Sequence, residues 1–97
     1  MSQTDKEMLE FAAKAAGIDY EIVEGWSGPV VGYGMASRVW NPLTDDGDAL
    51  RLAVKLDLLN DPRFLHERNV LMFTKNMPRL EATRRAFVQA AAAQSMA

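Results

Sequence analysis

Cysteine is absent from this 97-residue chain, histidine occurs once, and aromatic residues make up only 8% of it. Without thiols there is no disulfide framework, no zinc ribbon and no cysteine nucleophile, and the composition suits a reducing compartment. A single histidine, His66, cannot supply the paired imidazoles of a zinc hydrolase. Apolar runs fall far short of the ~18–20 residues that cross a bilayer. Met1–Lys14 lacks the basic-then-apolar order of a secretory leader. A chain this short is expected to form one small domain over residues 1–97, which excludes a two-domain enzyme or a full dinucleotide-binding sheet.

Charge of both signs is present, and the net value of −2 hides how it is distributed. Residues 1–48 carry nine acidic and three basic side chains, whereas residues 49–97 carry four acidic and eight basic ones. Such asymmetry marks either a patch that meets a charged partner or two halves of one fold that face each other.

Local signals divide the chain into helices and strands. Thr4-Asp5-Lys6-Glu7 is a capping box, and Gly17 follows the apolar periodicity, so a first helix is predicted over about Asp5–Ala16. Asp19–Glu24 alternates, with Ile18, Tyr20 and Ile22 opposite Asp19 and Glu21, which reads as a half-buried strand. After the turn-rich Gly25–Pro29, the Val31–Trp40 segment alternates again, and the two are expected to form a hairpin. Thr44–Asp48 is rich in N-cap residues and opens a second helix over about Asp46–Leu59, with Ala49, Leu52, Ala53, Leu56 and Leu59 on its buried stripe. Asn60-Asp61-Pro62 ends it. Asn69–Thr74 reads as a strand with Phe64-Leu65 as its candidate partner, although a short apolar run also suits a helix. Pro78 precedes a last helix through about Ala93, with Arg79, Arg85 and Gln89 pointing outward. The order α-β-β-α-(β)β-α predicts an α+β fold: a small antiparallel sheet of three to four strands packed with three helices.

Catalytic and metal-binding patterns are incomplete. Gly25-Trp26-Ser27-Gly28-Pro29 departs from a nucleophile elbow at its last position and joins two strands, where the elbow joins a strand to a helix. Asp45-Asp46-Gly47-Asp48 fails as a calcium loop, because Pro42, Thr44 and Ala53 occupy ligand positions; helix capping accounts for the same residues. Gly28, Gly32 and Gly34 make no phosphate-binding fingerprint. No enzyme activity, cofactor or metal is expected. Two charged surfaces are candidates for binding. Asp19, Glu21 and Glu24, with Asp45, Asp46 and Asp48 at a helix start and the turn residue Trp26, outline an acidic face that a basic groove of a partner would attract. Lys75, Arg79, Arg84 and Arg85 outline a basic patch that could touch phosphates. Capping and ordinary solvation are the competing explanation for both. Trp26 is open between core and interface, whereas Trp40, next to Asn41-Pro42, reads as core.

The run Trp40-Asn41-Pro42-Leu43-Thr44-Asp45-Asp46-Gly47-Asp48 through Leu56 resembles the central signature of small phage and prophage proteins with a phage ABA-sandwich domain. Ala15-Ala16-Gly17-Ile18 and Ala82-Thr83-Arg84-Arg85-Ala86 are similar to that family's flanking segments and occur in the same order. The resemblance implies an α+β phage-derived protein in the cytoplasm of a bacterial host, without catalytic residues to carry over. The expected function is therefore protein–protein binding. Its most concrete form is steric inhibition of a host defence complex such as a CRISPR–Cas ribonucleoprotein. The alternative is a small nucleic-acid-binding phage protein that uses the basic C-terminal helix. Oligomeric state is open, and no membrane association is expected.

Overall fold

Helix α1, Asp5–Ala15, begins where the capping box places it, with the Thr4 hydroxyl accepting from the Glu7 amide at 3.1 Å. It ends in a Schellman-type turn, in which Gly17 takes φ +67° and the Ile18 amide donates to the Ala13 carbonyl at 3.0 Å. The computed structural model describes residues 4–96, so the first three residues of the Met1–Lys14 segment lie outside it. Met8, Leu9, Ala12, Ala13 and Ala16 are buried along one face of α1.

Helix α2, Asp46–Lys55, starts as its acidic run predicts, with Asp45 as N-cap accepting from the Asp48 amide at 2.8 Å. It stops four residues earlier than expected. Asp57 adopts a left-handed conformation (φ 54°) and leads into a 3₁₀ turn, Leu58–Asn60. That turn rotates the apolar pattern: Leu58 is buried, and Leu59, expected on the core stripe, is exposed.

The region expected to hold a strand is helical. Helix α3 spans Pro62–Phe73, so neither Asn69–Thr74 nor Phe64-Leu65 forms a strand. Asp61-Pro62 ends one element and starts the next: Asp61 caps α3, accepting from the Arg63 amide at 2.9 Å, and Pro62 occupies the first turn. Phe64 and Leu71, two turns apart, are the residues α3 buries. Phe64 stacks on Phe87 with ring centroids 4.5 Å apart, and the Arg68 guanidinium lies 5.8 Å from the Phe64 ring. Leu65, Val70 and Phe73 face outward, which is why the periodicity of α3 is hard to read.

Helix α4, Arg79–Met96, is the central element, packed by α1, α3 and α2. Ala82, Ala86, Phe87, Val88, Ala90, Ala91 and Ala92 are buried, and helical geometry distributes them around the whole axis. The alanines are therefore contact residues, whose small side chains let neighbouring helices approach closely, as well as good helix formers.

The sheet is correspondingly small. Strands β1 (Val30–Val31) and β2 (Arg38–Val39) pair antiparallel, Val30 with Val39 and Val31 with Arg38. The expected strand Asp19–Glu24 contributes one isolated bridge, Glu21 with Val30. Pro29 has no amide to donate, and Gly32 turns the chain away at φ +89°, so β1 cannot lengthen in either direction. Among the described residues the architecture is four helices and a two-stranded sheet whose strands both come from the Val30–Val39 region expected as one strand, which corrects the expectation of a three- to four-stranded sheet with three helices.

One buried carboxylate joins the sheet to the helices. Asp48, on the first turn of α2, has a side chain only 1% exposed. Arg38 of β2 donates to it in a bidentate pair at 2.8 Å each, Arg51 donates at 2.8 Å, and the Asn41 amide donates at 3.0 Å. Burial alone pushes this carboxyl up. The hydrogen bonds from Arg38, Arg51 and Asn41, with the Arg38 charge, outweigh it and hold the carboxyl at about 2. The hydrogen bond to Asp48 is also the main cause of the raised Arg38 pKa.

Two outcomes are expected. Asp48→Asn places an amide N–H₂ against a guanidinium and should cost on the order of 2–4 kcal/mol in urea unfolding. Because the folded-state carboxyl lies below its unfolded value, its contribution is complete above about pH 4 and is lost as pH falls through about 2. Wild-type stability should therefore drop by about 2–3 kcal/mol over that window, and Asp48→Asn should lose this part of the acid dependence.

Candidate binding face

The β1–β2 hairpin carries the most exposed apolar side chains of the fold. Between its strands, residues 32–37 close through a 3₁₀ turn, Gly34–Ala36. Tyr33 at the tip is 87% exposed and Met35 is fully exposed. Gly32 is required there: a Cβ would lie 2.5 Å from the Ala36 carbonyl oxygen, and φ is +89°. The base of the hairpin is held on both sides. Glu21 and Val30 exchange backbone hydrogen bonds at 2.9 Å, the Trp40 amide donates to the Pro29 carbonyl at 2.8 Å, and Arg38 is clamped by Asp48. A projecting aromatic and a methionine on a fixed base form an anchor surface of the kind that dominates protein interfaces.

The acidic residues divide into two groups. Asp19 and Glu21 line a cleft of about 420 Å³ together with Tyr20 and Tyr33, so two of the predicted carboxylates share a surface with the hairpin tip. Glu24 and Trp26 are exposed on the connection before β1, and Trp26 is 38% exposed. Asp45 and Asp46 stand apart at the start of α2. Asp45 caps the helix, and Asp46 pairs with Arg84 at 2.8 Å.

The basic patch is largely engaged within the fold. Arg84 Nε donates to the Leu43 carbonyl at 2.8 Å while Nη1 meets Asp46. Arg85, expected to point outward, is half-buried and reaches both Asp5 carboxylate oxygens at 3.1 Å. Lys75 and Arg79 are exposed and make no ion pair among the described residues. The acidic first half and basic second half thus face each other at Asp46–Arg84, Asp5–Arg85 and Asp48–Arg51. Ser27 lines a cleft of about 270 Å³ with Asp5, Glu81 and Arg85; His66 lies on α3 and is not part of it. Trp40 is core, 4% exposed.

Sequence reasoning missed Tyr33 and Met35, and it placed Asp48 on the acidic face, where the structure instead buries it as the hub for Arg38 and Arg51. Two glycines flanking Tyr33 were a turn signal inside an alternating pattern, since glycine permits the positive φ that Gly32 and Gly34 both adopt. Arg51, three residues after Asp48 on a helix, was the available sign that this carboxylate has a partner. Arg38 left no local sign. No helix of the described residues is long and apolar enough to cross a membrane. No protein-family model matches this chain, and no significant match is found among curated proteins or solved structures.

Gly32→Ala should distort the hairpin tip at a cost of about 1–3 kcal/mol of local strain. In ¹⁵N–¹H spectra the large shift changes are expected within residues 32–37, with the resonances of α1 and α4 in place.

Proposed function

We propose that this chain is a non-enzymatic binding protein of the phage accessory type, which docks through its hairpin tip and the adjoining carboxylates. The observation that carries the reading is the full exposure of Met35 and the near-full exposure of Tyr33, the latter beside Asp19 and Glu21, on a hairpin with a fixed base. Apolar anchors that leave water on docking supply binding energy, and the surrounding carboxylates select a basic partner surface and steer the encounter. A nucleic-acid-binding groove on a host ribonucleoprotein has that chemistry. Steric occupation of such a groove, in a CRISPR–Cas complex of the bacterial cytoplasm, is the most concrete form of the proposal. The phage setting itself rests on the resemblance of the Trp40–Leu56 segment. Direct nucleic-acid binding through Lys75, Arg79, Arg84 and Arg85 has less support, because Arg84 and Arg85 are committed to internal acceptors.

With the protein in excess, plasmid interference by the susceptible CRISPR–Cas system is expected to fall, and unchanged interference rejects that form of the proposal. The double substitution Tyr33→Ala/Met35→Ala should weaken partner binding by roughly 10- to 100-fold at unchanged stability, as loss of interface anchors does. The charge reversal Asp19→Lys/Glu21→Lys should mainly slow association, measured by surface plasmon resonance at several salt concentrations.

A further inference from the structure

A third cleft, of about 280 Å³, lies between the end of α1, the hairpin base and α2. Its apolar lining comes from Ile18, Val31, Trp40 and Leu52, and Arg38, Arg51 and Lys55 complete it. Asp48 is the one carboxylate among the lining residues, and Asp45 outside the lining adds a weaker attraction on Arg38, so the three cations still outnumber the carboxylates that face them. The cations retain donors as well. Arg38 gives two N–H groups to Asp48 and makes a longer contact to the Val39 carbonyl at 3.4 Å, and Arg51 gives one N–H to Asp48, out of five on each guanidinium. Lys55 is exposed and makes no ion pair among the described residues.

From this arrangement we propose that the cleft is a binding site for a small organic carboxylate with an apolar body, such as an arylalkanoic acid. The apolar body would cover Ile18, Val31, Trp40 and Leu52, while the carboxylate would meet the outward N–H groups of Arg51, Arg38 and the Lys55 ammonium. Three physical features favour this class of ligand. Apolar walls with a few convergent polar groups are the usual composition of small-molecule sites, and the volume, just below their usual range, suits a small ligand. The excess positive charge selects an anion over a neutral or cationic compound of the same shape. Asp48 holds both guanidiniums in place before any ligand arrives, which reduces the ordering cost of binding. A partner helix or strand would need a longer groove than this volume offers. The site is independent of docking through the hairpin tip, and its test needs no knowledge of the macromolecular partner.

The test is a ¹³C-methyl and ¹⁵N NMR titration of the intact chain with 4-phenylbutyrate, 4-phenylbutanol and 4-phenylbutylamine. The acid should shift the methyl resonances of Ile18, Val31 and Leu52 and the Trp40 indole N–H, with a Kd at least about tenfold below that of the alcohol, because a charge-assisted contact is added. The amine should bind more weakly than the alcohol. Lys55→Glu should raise the Kd of the acid to near that of the alcohol, and Lys55→Gln should give an intermediate value. Arg63→Glu makes the same change in net charge elsewhere and should leave the Kd unaltered. Absence of shifts at these four residues, equal affinity for acid and amine, or an unchanged Kd in Lys55→Glu would each overturn the proposal. So would tighter binding of a capped Glu-Leu-Glu peptide than of the acid, which would assign the cleft to a protein segment.

Discussion

The buried Asp48 carboxylate is the constraint on which the arrangement of this fold depends. It sits at the positive end of α2, where the helix dipole favours a negative charge, and it accepts from two arginines and one backbone amide. Those donors come from three places: the second hairpin strand, the connection at Asn41, and α2 itself. A two-residue strand pair has little stability of its own. Its attachment to the helical body through Arg38 gives the hairpin a fixed base. The half-exposed guanidiniums keep much of their hydration, so the desolvation cost falls mainly on the carboxylate and is offset by four close donors.

The helical body follows from a different economy of space. Alanines on nearly every side of α4 allow α1, α2 and α3 to pack around it, and the larger volumes of Phe87, Phe64, Leu9 and Leu52 fill what the small residues leave. Where the first-half acids meet the second-half bases, the pairs lie around this body and are part-exposed. Their role is therefore to set register between elements more than to add stability. The Arg84 contact to the Leu43 carbonyl is the exception, since it ties α4 directly to the segment that leads into α2.

Both proposed binding surfaces use the hairpin that Asp48 secures. The tip presents apolar anchors beside carboxylates, and the base closes one side of a cleft edged by cations. Under the two proposals, neighbouring surfaces of opposite sign would serve two chemically different ligands. Each surface contains a residue whose position depends on a glycine or a buried ion pair, and neither is a product of composition alone.

How much was legible in the sequence depended on the range of the interactions involved. The starts of α1 and α2 and the course of α4 followed from capping residues, a terminal glycine and helical spacing, all of which act within a few residues. Trp40 as a core residue was legible from its place beside Asn41-Pro42 and from the usual burial of large aromatics. The identity of α3 was not, because Asp61-Pro62 serves equally as a stop and a start, and the outward Leu65, Val70 and Phe73 blur its periodicity. The hairpin was not legible: alternation pointed to Asp19–Glu24 paired with one continuous Val31–Trp40 strand, whereas the chain turns back within that second segment at Gly32, and the missing Pro29 amide and the Gly32 turn limit each arm to two residues. Which charges would remain available to a partner was decided only in three dimensions. Arg85 finds Asp5 across 80 positions and Arg84 finds Asp46 across 38, and no local pattern carries that information. The sequence by itself therefore determined where α1 and α2 begin and which familiar catalytic and metal-binding patterns are incomplete. Tertiary structure decided which carboxylate is buried, which arginines are engaged and which apolar side chains stand in water, because those outcomes depend on contacts between distant parts of the chain.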